Sequence, residues 1–121
     1  MTKPLVSIIT PCYNGEAFLK RYFESILNQT YPNLELIFIN DGSTDRTEEI
    51  ALSYRERLEK RGITYIYEKQ ENAGQAAALN RGLKLFTGEY LTWPDSDDVM
   101  VSDAVEKLSL IHISEPTRLR C

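Results

Sequence analysis

The chain has 121 residues and a formal charge of −4, with 26% charged and 42% hydrophobic side chains. That length bounds it to one domain, large enough for a real core but short for an enzyme with two substrates. Interspersed charge of net negative sign leaves no basic footprint, so nucleic acid is not an expected partner and an anionic ligand must be met by a metal or by local donors.

No run approaches the ~18 apolar residues that would span a bilayer. Met1 to Pro4 is too short and broken to open a signal peptide, so a soluble, cytoplasmic chain is expected. Cys12 and Cys121 show no repeat spacing and suggest neither a disulfide framework nor a metal knuckle.

Leu5 to Thr10 is a β-branched run of strand length, with Pro11 expected to end it. Asn14 is placed to cap the helix that follows. There Phe18, Tyr22 and Ile26, and beside them Leu19, Phe23 and Leu27, recur every fourth residue as a buried face. Pro32 breaks that pattern. Leu34 to Ile39 reads as a second strand, nearly continuous in apolar side chains as in a parallel sheet covered on both faces. It runs into Asn40-Asp41-Gly42-Ser43-Thr44-Asp45, where Gly42 permits a tight turn and Asp45 with Glu48 forms a capping pair.

The next helix carries Ala51, Tyr54 and Leu58 inward and stops at Lys60-Arg61-Gly62. Ile63 to Tyr67 is a third strand, and Glu68 to Gly74 a polar loop. A helix opening on Ala76-Ala77-Ala78 extends to Thr87-Gly88. Those small side chains suit close approach to a sheet or to a ligand, and the sequence leaves both readings open. Tyr90 to Trp93 is a short buried fourth strand, stopped by Pro94. The order β-α-β-α-β-α-β predicts a mostly parallel, doubly wound α/β sheet.

The fourth strand ends in Asp95-Ser96-Asp97-Asp98, three carboxylates in four residues. Hard oxygen ligands in that number suit Mn²⁺ or Mg²⁺ shared with substrate phosphates, at the strand ends where open α/β sheets keep their ligands. Alternatively, the triplet is a solvated loop capping the helix that starts near Val99. The triplet alone leaves both readings open.

Five stretches in order carry a family resemblance: Val6 to Asn14, Ser25 to Tyr31, Asn40 to Asp45, Asn72-Ala73-Gly74, and Asp95 to Asp98. Over residues 5 to about 107 the chain resembles the amino-terminal, nucleotide-sugar-binding half of a family 2 glycosyltransferase with the Rossmann-like GT-A fold. The resemblance implies a sheet truncated after its fourth strand, with residues 1–107 as the donor-binding half. It implies a nucleotide-sugar donor, UDP-linked by preference, a saccharide or lipid-linked acceptor, and a divalent metal, Mn²⁺ or Mg²⁺. It assigns Pro11, Tyr13, Asn14, Asp41, Asn72, Gly74 and Asp95 to the nucleotide, and Asp97 with Asp95 to the metal.

In that assignment Tyr13 lies against the base, and Asp41 accepts from the base or ribose, most simply from the N–H of a uracil. The alternatives are an exposed loop tyrosine and a turn aspartate bonded to its own backbone. Asp98 orients Asp97 or caps a helix. Two positions depart from the pattern: Leu79 precedes Asn80 where many relatives carry Arg, and Pro94 replaces a more usual apolar residue.

The implied chemistry is inverting transfer, with a catalytic base beyond the covered chain. Membrane association is expected only through a carboxyl-terminal part that this chain lacks. Leu108 to Arg118 resembles the in-frame translation of a sequencing-library adapter, so 108–121, with the sole His112, is expected to be a non-native tail. The competing readings are a nucleotidyltransferase, against which Pro11 to Gly15 holds no Lys or Arg, and a non-catalytic nucleotide-binding module.

Overall fold

The computed structural model describes residues 4–92, and the readings placed on 93–121, including the acidic loop and the tail, lie outside them. The chain runs β1 (Val6–Cys12), α1 (Leu19–Leu27), β2 (Leu34–Asp41), α2 (Thr47–Ser53), α3 (Arg55–Lys60), β3 (Thr64–Gln70), α4 (Gln75–Leu83) and β4 (Tyr90–Thr92). The strands form one sheet in the order β3-β2-β1-β4, with every pairing parallel. The path steps outward from β1 to β3 and then returns to the far side of β1. Right-handed crossovers therefore put α1 to α3 on one face and α4 on the other.

Alternation along the strands builds a core on each face. Val6, Ile8, Leu34, Leu36 and Phe38 meet the first three helices, where Phe23 stacks on Phe38 and Tyr54 with ring centroids 5.6 and 4.8 Å apart. Ile9, Ile37, Ile39 and Leu91 pack with Ala78 of α4. The close approach of α4 rests on Gly82, where an added Cβ would stand 2.5 Å from Ile9 Cγ2. Of the three alanines only Ala78 is buried, which favours packing as its role.

Several element edges differ from the sequence expectation. Pro11 does not end β1: it pairs with Ile39 inside the strand. Val6 donates its N–H to Asn33 on the β2 side, so by alternation Pro11 faces the other way and its missing donor leaves the β1–β2 ladder intact. Phe18 is 45% exposed rather than part of the buried face, because α1 starts only after it.

Asn14 caps no helix. The expected long second helix breaks at Tyr54, whose ring lies on Phe23 and whose hydroxyl donates to Glu24. The stop at Gly62 holds: its φ of 90° lets Gly62 N–H reach Glu59 O while Ile63 N–H reaches Leu58 O, a doubly bonded helix end. β3 runs three residues further than expected, to Gln70, and α4 ends at Leu83 rather than near Gly88.

Candidate nucleotide site

The carboxyl ends of β1, β2 and β3 are Cys12, Asp41 and Gln70, so the loops after them share one edge of the sheet. The strand order reverses between β1 and β4, and the crevice beyond such a switch point is where open α/β sheets bind ligands. Tyr13 stands at this edge in the first loop and is 54% exposed. Pro11 lies buried one position before the strand end.

Asn14 takes up left-handed backbone, φ 52°, and faces the second loop. Its N–H donates to Ser43 Oγ at 2.9 Å, and its Oδ1 accepts the Thr44 N–H at 2.8 Å. Gly15 N–H donates to Thr47 Oγ1 at 2.9 Å. Asp45 accepts from Glu16 N–H with one oxygen and from Thr47 N–H with the other, at 3.1 and 2.9 Å. Asp45 thus bonds the first N–H of α2 from one residue before the cap position, held by Arg46, and Glu48 does not complete the expected pair, because it turns to Tyr67 and Lys69 instead.

Asp41 is 3% exposed and organises the third loop. Its Oδ1 accepts from Gln70 Nε2 at 2.9 Å and from Ala73 N–H at 2.8 Å, and its Oδ2 accepts from Gly74 N–H at 3.0 Å. The alternative of a turn aspartate bonded to its own turn is thereby corrected, since these partners lie on β3 and the loop after it. Asn72 Nδ2 donates to Asp41 O at 3.0 Å, and Gly42 (φ 70°) leaves room for the Asn72 backbone, where a Cβ would come within 2.5 Å of its nitrogen. Burial raises the Asp41 pKa, but hydrogen bonds from Gln70, Ala73 and Gly74 together outweigh it and hold the carboxyl below the usual aspartate value. Asp45 is likewise held low: burial opposes, and bonds from Thr47 and Glu16 prevail.

The structure brings Asp41, Asn72 and Gly74 into direct contact and sets Tyr13 and Asn14 at the same sheet edge. Asp95 and Asp97 lie outside the described residues. Among the described residues no three His, Cys, Asp or Glu side chains form a metal cluster. Asp41 and Asp45 are already engaged by N–H donors, so the metal assignment rests on the acids that follow β4. Ser43, Thr44, Thr47 and Gln70 take part in this edge without having been singled out from sequence. Ser43 and Thr44 sit in the turn after Gly42, a readable signal, Thr47 opens α2, and nothing in the sequence marks Gln70.

A four-stranded parallel sheet in this order, with its polar loops gathered at one edge, is an open α/β sheet of the kind found in GT-A glycosyltransferases. Over its length the chain matches a mannosyltransferase of Pyrobaculum calidifontis, solved with GDP-Man and Mn²⁺, at TM-score 0.81 and 28% identity, covering 97% of this chain and 34% of that one. It matches S. aureus TarS 1–349, solved with UDP, at TM-score 0.80 and 26% identity, covering 90% and 32%. An uncharacterized glycosyltransferase of Rickettsia typhi is 47% identical over 103 residues, 85% of this chain. The Glycosyl transferase family 2 model matches residues 7–117, and the chain belongs to that family. It spans about 30% of the Rickettsia relative's length.

Proposed function

We propose that the chain is the donor-binding half of a glycosyltransferase that uses a UDP-linked sugar. The observation carrying the reading is the hydrogen-bond state of Asp41. A carboxylate offers about four lone-pair sites, and among the described residues Oδ1 accepts two bonds and Oδ2 one. One acceptor position on Oδ2 is left. Uracil presents a single N–H between two carbonyls, which suits one free acceptor. Guanine presents two adjacent donors and would leave one unpaired, and adenine offers an acceptor at the corresponding ring nitrogen. The exposed Tyr13 supplies a flat apolar face for the base.

The UDP-bound TarS structure supports the nucleotide class, and the GDP-Man complex with Mn²⁺ supports a nucleotide sugar with a divalent ion. In this reading Asp97, with Asp95, would hold Mn²⁺ or Mg²⁺, which neutralises charge on the diphosphate leaving group. A saccharide or lipid-linked hydroxyl attacks the anomeric carbon opposite the departing nucleoside diphosphate and inverts it. The base that takes the hydroxyl proton is assigned to chain beyond these residues.

The test is calorimetric titration of UDP, GDP and ADP with and without Mn²⁺. UDP is expected to bind more tightly than ADP by about 1–3 kcal/mol, the scale of one polar contact left unpaired by the wrong base. Equal affinity for all three bases would overturn the role of Asp41.

A further inference from the structure

Glu35 sits near the start of β2 and is 2% exposed, yet the nucleotide edge lies six residues further along, about 20 Å away at strand rise. Its bonds explain its burial. Oε1 accepts from Ser7 Oγ at 2.7 Å and from Thr87 N–H at 2.9 Å, and Oε2 accepts from Thr87 Oγ1 at 2.8 Å. All three donors are uncharged. Ser7 Oγ in turn accepts Gly88 N–H at 2.9 Å, and Leu5 O accepts Glu89 N–H at 2.8 Å. Three consecutive backbone donors ahead of β4 are thus tied to β2, to β1 and to Leu5 just ahead of β1.

β4 has only three residues, Tyr90–Thr92, paired to Val6, Ser7 and Ile8. So short a ladder fixes its register weakly. A slip of one residue would exchange Tyr90, which packs with the α1–α3 core, for Leu91, which packs on the α4 side. A buried carboxylate is stable only with donors around it, and here every donor but one belongs to the segment that must be held.

We propose that Glu35 is a positioning residue that sets the register of β4, the strand after which Asp95 and Asp97 follow in sequence. An acceptor is required, a charge is not. In Glu35→Gln the amide oxygen can take the Ser7 and Thr87 N–H bonds, and Thr87 Oγ1 can turn to accept from the amide nitrogen. Glu35→Leu keeps similar volume and offers no acceptor. Thr87→Val removes one bond at an exposed position that the fold tolerates.

Amide exchange on the 121-residue chain reads the register directly at Tyr90 and Thr92, whose N–H groups face β1, with Ile37 of β2 as reference. Thr87→Val is expected to speed exchange at Tyr90 and Thr92 about tenfold, the effect of one hydrogen bond to the buried Glu35 carboxylate, with Ile37 unchanged. Glu35→Leu should exceed that, and Glu35→Gln should stay within about twofold of the parent. A second readout, which rests on the donor-site reading, is the gain in UDP affinity on adding Mn²⁺. It should fall about tenfold in Glu35→Leu while metal-free UDP affinity holds.

Unchanged exchange in Glu35→Leu, equal acceleration at Ile37, or Glu35→Gln behaving as Glu35→Leu overturns the proposal. An unchanged Mn²⁺ gain in Glu35→Leu overturns its link to the acids. Absence of any Mn²⁺ gain in the parent chain overturns the donor-site reading instead, and the exchange readout then decides the register by itself.

Discussion

Asp41 at the end of β2 accepts the backbone N–H of Gly74 at 3.0 Å, joining residues 33 apart in sequence across the β3–α4 connection. The same carboxylate holds Ala73, so the loop ahead of α4 is shaped by a side chain from the neighbouring strand. A group with this dual position, structural on one side and, among the described residues, open by one acceptor site on the other, makes its substitution informative.

Asp41→Asn replaces one oxygen by an amide nitrogen of equal size. Whichever way the amide turns, an N–H donor of Gln70, Ala73 or Gly74 then faces another donor, so the third loop is expected to lose about 1–3 kcal/mol. Thermal unfolding with and without UDP checks it. The variant should melt lower and also lose its preference for UDP over ADP.

The pH dependence follows from the same bonds. Asp41 and Asp45 have folded-state pKa values below the unfolded value of about 4. Each therefore contributes stability that is present above about pH 4 and is lost as pH falls through the folded pKa. Denaturant unfolding of the parent, Asp41→Asn and Asp45→Asn between neutral pH and about pH 3 measures this. The stability gap between parent and variants is expected to narrow on the acid side and to be constant above pH 6.

Gly82→Ala tests the seat of α4. A methyl group there would meet Ile9 Cγ2 at 2.5 Å, in a fully buried part of the sheet. Overpacking of that kind costs about 1–3 kcal/mol. Chemical denaturation should show the loss, and Ile9→Ala, which removes Cγ2, should cost less in the Gly82→Ala background than in the parent.

Asp97→Asn tests the metal assignment. Removing a charged ligand without removing core volume should abolish the Mn²⁺-dependent part of UDP binding while far-UV circular dichroism and melting stay unchanged. Equal metal dependence in parent and variant would remove Asp97 from the ligand set.

The sequence by itself determined the α/β class, the strand order along the chain and the buried helix face. β-branched runs, four-residue apolar spacing and the Gly62 stop act over a few residues, and the structure keeps them except at Phe18, which stands outside the buried face. The Asn40 to Asp45 and Asn72 to Gly74 stretches were legible as one site only through family resemblance. Local chemistry does not reveal that Asp41 and Gly74 meet.

The tertiary structure alone decided which polar groups meet. Asn14 reads as a helix cap, yet its side chain bonds Thr44, 30 residues on. Pro11 reads as a strand end, and survives inside β1 because its missing donor faces away from β2. Glu35 sits unmarked in an apolar run, and its partners Ser7 and Thr87 stand 28 and 52 residues away. Propensity and periodicity are properties of neighbours along the chain. A hydrogen bond between distant residues depends on strand register, which exists only once the sheet has formed.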